Sequence, residues 1–535
     1  MPRLRRRLSR TIMVLLAVGS MGLLAACGSA STGTAQNSAA GPPVKGGTLK
    51  IALNADPATL DWTSTSAVVT RAVSWNIFEQ LFALDKNYVE RPMLAQSAKV
   101  SPDKLTYTIK LRTGVKFQDG SDFDSADVVA SLERWGKVSG TGVETFQHVK
   151  SVTAEGPDTV QIKLKSLFGP LLIDLADVRQ AAIMLPSAIA NAAGVNALED
   201  KQIIGTGPYE LESRTPGSSI VLKRFDQYKS LTENWGGLAG AKAAYFDKLD
   251  YQIVTDPQVR INGVQTGEYQ FAVNVPQDNY DQVKTMPTVQ PFIVDPYAFL
   301  AFVFNKQSGP FNNVLLRQAA QYASNPSEIG AAAVGNKALY SLDGSIFFPQ
   351  QAALHTLTGT SLYNDQNIAK AKQLVTQGGY DGKPIRLLTT KDYPEFYNAT
   401  VALSSELEAV GFKVDIQVYD WPTLLQRRDI ASDYDIFVTT SSPSFDPTSM
   451  LWMIPGGWSG FYTSPKMDSL LAQWVKTSDP AVKTDLLGQM NETVYTEVPE
   501  IKSATLSALY VASKNLQGYP NWMDTTFWNA WMTKN

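Results

Sequence analysis

Cysteine and histidine are almost missing from these 535 residues: one cysteine, Cys27, and two histidines, His148 and His355. A single thiol allows no intrachain disulfide, so the fold rests on packing. The same scarcity excludes a His-rich or Cys-rich metal site and leaves a His-based catalytic dyad only two candidates. No G-x-S-x-G elbow occurs, which argues against a serine hydrolase on that template. Beyond the N-terminus no stretch nears the ~20 residues of a membrane span without a charge or a proline. Acids and bases nearly cancel, 50 against 47. Five of those bases fall in the leader expected below, and the acidic remainder at −8 argues against nucleic acid or an anionic membrane face as a partner.

What the N-terminus holds is specific. Five arginines (Arg3, Arg5, Arg6, Arg7, Arg10) precede an apolar run from Thr11 to Ala26. A basic start, a short apolar stretch and small residues at a cut site make an export signal. The arginine pairs read as an ordinary basic region rather than a twin-arginine route. Leu24-Ala25-Ala26-Cys27 resembles the lipobox of bacterial lipoproteins. That resemblance implies removal of residues 1–26 and a diacylglycerol thioether on Cys27. Two acyl chains, at about 0.8 kcal/mol per buried CH₂, would hold the protein to a membrane. The alternative, a lone free thiol, suits a secreted protein poorly. Losing the leader takes the formal charge from −3 to −8, because the leader holds five arginines and no acid. The 509 residues that remain are too many for one core, so two or three lobes are expected. Residues 27–45, small, polar and Pro-rich, read as a flexible tether.

Folding is expected from Gly46, with TLKIAL alternating as a strand. A helix is predicted over about Ala67 to Leu84. Then comes a β-rich stretch: LTYTIKL, a turn at Asp119-Gly120, a helix from about Ala126 to Trp135 capped by Asp124 or Ser125, and a hairpin turning at Gly156-Pro157-Asp158. LLIDLADV reads as helical. Past Gly205-Thr206-Gly207-Pro208-Tyr209 strands and helices alternate. SIVLKRF, KLDYQIV and YQFAVNV are strands, DPQVRINGVQTGE a helix, and Tyr297 to Asn305 a buried strand. The C-terminal third adds strands PIRLLTT, KVDIQVYD and YDIFVTT, with helices between them. Such alternation reads as an open sheet with crossover helices. No internal repeat occurs.

Several runs converge on one family. The most specific is RPMLAQSAKVSPDKLTYTIKLRTGVKFQDGSDFDSADVVASLERW, Arg91 to Trp135. GGTLKIA, ATLDW, GTGPYEL, FNKQSGPFNN and GFKVDIQVYDWPTLLQR support it in order. The chain resembles the family 5 extracellular solute-binding proteins of ABC importers, over nearly all its length beyond the leader. The resemblance implies an α/β, two-lobed periplasmic-binding-protein-like (class II) fold with an extra β-rich subdomain in the first lobe. Lobe I would comprise 46–83, 205–299 and 499–535, the β-rich subdomain 84–204, and lobe II 300–498. Crossings near Phe299–Asn305 and Val498–Ser503 would form the hinge. Gly205, Gly207 and Pro208 look like a rigid lead-in to a strand where the chain passes between lobes. Arg112, Lys116 and Asp127 read as surface or salt-bridge residues.

The implied function is a lipid-anchored extracytoplasmic receptor that traps a small organic solute between its lobes. It would be a monomer and would pass the solute to ABC permease subunits driven by cytoplasmic ATPases. It would need no cofactor and no metal, and it would not be an enzyme. Ligands to an open α/β sheet sit at the carboxyl ends of its strands. That places Thr63, Ser64 and Thr65, Asn274, Tyr297 and Phe299 on one side of the cleft. Trp421, Thr440, Ser441, Ser442, Phe445 and Trp452 stand on the other. For each aromatic, core packing is the competing explanation. One departure stands out. Resembling peptide receptors hold the peptide amine with an aspartate just before a step that is Asp446-Pro447-Thr448-Ser449 here, and residues 436–445 contain no acid. An unpaired buried ammonium is costly, so a neutral sugar, an aromatic carboxylate or another small solute is favoured over a peptide. Two alternatives remain: an oligopeptide receptor of the same build, and an exported hydrolase using two carboxylates. A surface chaperone or sensor on the same fold is a third, since fold does not fix function.

Two motifs mislead. GGYDGKP, Gly378 to Pro384, is one residue short of a phosphate loop and has Pro384 where Ser or Thr belongs. Asp119, Asp122, Asp124 and Asp127 lack calcium-loop spacing and fit turns and a helix cap.

Overall fold

The computed structural model describes residues 42–450, 452–453, 458–520, 522–523 and 526–533. The expected leader, Cys27 with its expected lipid, and residues 27–41 of the expected tether lie outside the described residues. Among the described residues no helix is long and apolar enough to cross a membrane.

An eleven-stranded sheet organises the chain. From one edge it runs Val414–Val418, Ile385–Thr389, Ile436–Ser441, Val289–Phe304, Glu500–Ser513, Phe271–Val275, Thr48–Leu53, Lys248–Ile253, Ser219–Arg224 and Tyr209–Thr215; Tyr340–Ser341 pairs with Glu500–Ser513 off this path. Each wing has a parallel centre: Thr48–Leu53 between two parallel neighbours, and Ile385–Thr389 likewise. Parallel neighbours need crossovers, which helices Pro257–Thr266, Pro394–Ala409 and Trp421–Arg428 provide.

Two long antiparallel strands join the wings, Val289–Phe304 of 16 residues and Glu500–Ser513 of 14. Each contributes to the main core of both wings. Val294, Ala508, Tyr510 and Ala512 pack in the first, with Ile51, Leu249 and Phe271. Leu300, Phe302, Phe304, Ile501, Ala504 and Leu506 pack in the second, with Leu387, Leu403 and Val438. Burial on both faces explains the continuous apolar run FLAFVF. The first crossing strand begins at Val289, not at Tyr297 as the sequence suggested. Pro291 and Pro296 read as breakers, yet residues 289–294 pair in register with residues 508–513.

The four-stranded antiparallel sheet of Ala95–Val100, Thr106–Leu111, Thr159–Leu164 and Val149–Ala154 belongs to the first core. TYTIKL buries every second side chain, and Ile109 and Leu111 meet Val128, Leu132 and Trp135 of helix Ser125–Val138 in that core. Asp124 caps this helix at 2.7 Å from the Ala126 amide, while Asp127 returns a bond to the Asp124 amide at 2.9 Å. Asp119 holds the Ser121 amide at 2.9 Å. Capping and turn chemistry thus account for that acid cluster. Lys116 pairs with Asp122 at 2.7 Å as expected, and the capping Asp127 is 6% exposed.

Three expectations need correction. The helix expected to reach Leu84 is only Val68–Ser74. Asn76 turns its amide back onto the carbonyls of Ala72 and Val73, both at 3.3 Å; this ends the helix and hands Trp75, Ile77, Phe78 and Leu81 to the core. LLIDLADV makes one turn, Leu171–Asp174. Gly205 and Gly207 do not mark a passage between lobes. A Cβ on Gly205 would stand 2.1 Å from the carbonyl oxygen of Ile77, and one on Gly207 2.7 Å. The glycines permit close backbone packing inside the first lobe, where the Gly207 amide bonds the Ile77 carbonyl at 2.8 Å.

Candidate functional site

Where the parallel strands of both wings end, their loops face each other across a cavity of about 620 Å³. Asn54, Thr255 and Asn274 come from the first wing, and Asp392, Tyr393 and Glu395 from the second. A second hollow of about 160 Å³ adjoins it, sharing Gln277, Tyr297, Tyr393 and Glu395 and adding Trp421, Thr440 and Leu506. Tyr297, on the first crossing strand, therefore lines both. Arg260 stiffens the first-wing rim, donating to the carbonyls of Val254, Thr255 and Asn274 at 2.7, 2.8 and 2.8 Å. Asn274 adopts a left-handed φ of 51°, which asparagine tolerates better than most residues. On the second wing Tyr393, Phe396 and Trp421 cluster, with Tyr393 edge-on to Trp421 at 5.3 Å. The Asp392 carboxylate holds the Trp421 amide at 2.7 Å and so fixes the start of that helix.

The sequence-derived candidates divide by place. Asn274, Tyr297, Trp421 and Thr440 line these cavities. Thr63, Ser64 and Thr65 form a turn instead. Thr63 is 2% exposed and donates to the Ala181 carbonyl at 2.8 Å; Ser64 donates to the Asp61 carbonyl at 3.0 Å, and Thr65 accepts from the Ala67 amide at 3.1 Å. Asp61 is itself paired with buried Arg134 at 2.5 Å. Phe299 and Trp452 lie in a third apolar cluster, edge to face at 6.3 Å. Ser441 ends its strand and Ser442 is exposed.

Phe445 works at another end of the lobe contact. It stacks on Tyr88 from the β-rich region at 6.2 Å and lies under the Arg179 guanidinium at 5.9 Å. Asp295, on the first crossing strand, accepts from Ser507 and Gln350, both at 3.2 Å. Burial pushes its carboxyl up, and its charge adds to the burial that raises the Tyr88 hydroxyl.

Reading the sequence missed Asn54, Arg260, Tyr393 and Glu395. Tyr393 and Glu395 follow strand PIRLLTT as Trp421 follows KVDIQVYD, so the same strand-end rule reaches them.

Two lobes sharing two crossing strands, with a cavity between their strand ends, define a two-lobed binding protein. The family model of the bacterial extracellular solute-binding proteins, family 5 Middle, matches residues 90–461, and the chain belongs to that family. It is a solute-binding receptor of an ABC importer. The glutathione-binding protein GsiB of Escherichia coli K12 is 28% identical over 503 residues, covering 89% of this chain and 92% of GsiB. The periplasmic binding protein AgaA of A. tumefaciens R10, solved with agropinic acid, is 25% identical with a TM-score of 0.75, covering 91% of this chain and 99% of AgaA. Helicobacter pylori DppA, solved with the peptide STSA, shares the fold at 21% identity and a TM-score of 0.76, over 92% and 99% of the two chains.

Proposed function

We propose that this receptor is tethered by lipid on Cys27 to the extracytoplasmic face of the cell membrane. There it closes on a small organic solute between Asn274 and Tyr297 on one side and Trp421 and Thr440 on the other. The observation that carries the reading is Tyr297, which stands on a strand shared by both lobes and lines both cavities at once. A ligand touching both lobes shifts the open–closed population toward closure. The closed form is then what a permease with cytoplasmic ATPases accepts, and the receptor acts as a monomer without turning its solute over. GsiB and AgaA, both binding proteins by name, support binding over catalysis.

Peptides re-enter as the second reading. Residues 436–445 lack an acid, but Glu395 brings a carboxylate into the same cleft from another element. Native mass spectrometry of solute carried through purification, followed by calorimetry on wild type and Trp421→Ala, tests the site. Saturable binding without product, lost in the variant, is expected. Product formation would favour the hydrolase alternative. Mass spectrometry of the N-terminal peptide from membranes checks cleavage before Cys27 and its acyl mass.

A further inference from the structure

The charged residues that line the two cleft cavities are Arg260, Asp278, Asp281, Asp392 and Glu395. Four of these five are occupied. Arg260 spends its guanidinium on three backbone carbonyls. Asp278 accepts from Asn279 at 3.0 Å, Asp281 from Asn336 at 3.1 Å and Asp392 from the Trp421 amide at 2.7 Å. Glu395 differs. Among the described residues it takes no hydrogen bond or ion pair from any other residue.

Its surroundings are aromatic. Glu395 lines the 160 Å³ hollow together with Tyr297, Tyr393, Phe396 and Trp421. A carboxylate among aromatic rings with no basic partner carries an uncompensated charge. Burial accordingly pushes its carboxyl above the ordinary range, with no neighbouring charge among the causes. Glu395 also stands in the first turn of helix Pro394–Ala409, where the helix dipole favours an acid. That effect would be satisfied on any face of the turn, including one in water, and does not explain a side chain within a ring-walled hollow.

Resting on the cleft as the solute site, we propose that the solute carries a cationic nitrogen, an ammonium or guanidinium, seated against Glu395 and framed by Tyr297, Tyr393 and Trp421. Ring faces attract such a cation through their quadrupole, and the carboxylate completes the charge. The hollow of about 160 Å³ takes the charged head, and the adjoining 620 Å³ takes the rest of the molecule. A neutral sugar gives Glu395 hydroxyl hydrogen bonds but leaves its charge unpaired, and a purely anionic solute repels it.

The test is a thermal-shift and calorimetric panel on the purified protein. It comprises putrescine, agmatine, choline, arginine and glycyl dipeptides, each amine paired with its N-acetylated form, plus oligosaccharides and aromatic carboxylates. At least one cation is expected to bind and its acetylated partner to bind at least tenfold more weakly. Glu395→Gln should lose at least tenfold for that cation, Glu395→Asp should keep part of the affinity, and Glu408→Gln, on the same helix but exposed, should keep all of it. If a neutral or anionic solute binds, is lost in Trp421→Ala and is held equally by Glu395→Gln, the charge assignment falls and the cleft reading stands. If the best ligand binds unchanged in Trp421→Ala, or nothing in the panel binds, both fall.

Discussion

Arg179 donates to the backbone carbonyl of Ser449 at 3.2 Å, joining the β-rich region of the first lobe to the second lobe. Asp177 holds the same guanidinium from behind at 3.1 and 3.0 Å. Asp177 thus holds the arm fixed, and the bond is expected to act as a latch that favours the closed arrangement. Arg179→Ala should shift the free protein toward the open form and weaken solute binding about five- to thirty-fold, the cost of repopulating the closed state. Small-angle scattering should show a larger radius of gyration for the free variant and an unchanged one with solute bound. Equal affinity and equal radius would remove the latch.

Thr63 and Trp421 came from the same strand-end rule and part company in the structure. Thr63→Val should cost about 1 kcal/mol of stability through its lost bond to Ala181 and leave affinity alone. Trp421→Ala should weaken binding tenfold or more. Denaturation and calorimetry on both variants separate the two roles, and a loss of affinity in Thr63→Val would return that turn to the site.

Gly205 has no room for a methyl group, with the Ile77 carbonyl oxygen 2.1 Å from where its Cβ would lie. Gly205→Ala should destabilise by about 1–3 kcal/mol, as overpacking does. Chemical denaturation should show a lower midpoint at unchanged slope.

Glu406 is buried, accepts the Asn325 amide at 3.0 Å with one oxygen, and has its carboxyl pushed up to about 8 by burial, with Glu328 adding to the rise. The folded state therefore holds a proton that the unfolded chain releases near 4.3. This contribution to stability is fully present below the unfolded value and is lost as pH rises through about 8. Glu406→Gln keeps an acceptor for Asn325. It should leave stability nearly unchanged at pH 5 and raise it by about 1–3 kcal/mol at pH 8. Melts across that range check the sign; a variant that follows wild type at every pH would mean Glu406 is ionised in both states.

Much of the fold was legible because its signals are local. The alternation in TYTIKL, the Asp124 cap and the strands PIRLLTT and YDIFVTT depend on neighbours in sequence, and they stand where expected. Burial on a distant surface was not legible. Nothing near Gly205 announces the Ile77 carbonyl, and nothing in QPFIVDP tells that its backbone pairs with the C-terminal strand. The cleft was half readable for the same reason. Asn274, Tyr297, Trp421 and Thr440 follow from strand ends, whereas the isolation of Glu395 appears only when every neighbouring charge has been placed.

The two crossing strands carry a last consequence. Val289–Phe304 and Glu500–Ser513 each contribute side chains to the main core of both halves. Neither half can therefore melt without stripping apolar residues from the other. Expressed alone, either half would lack part of its own interior. Heating should give one calorimetric peak for the whole sheet, and a protease should find no durable fragment that stops midway along either strand.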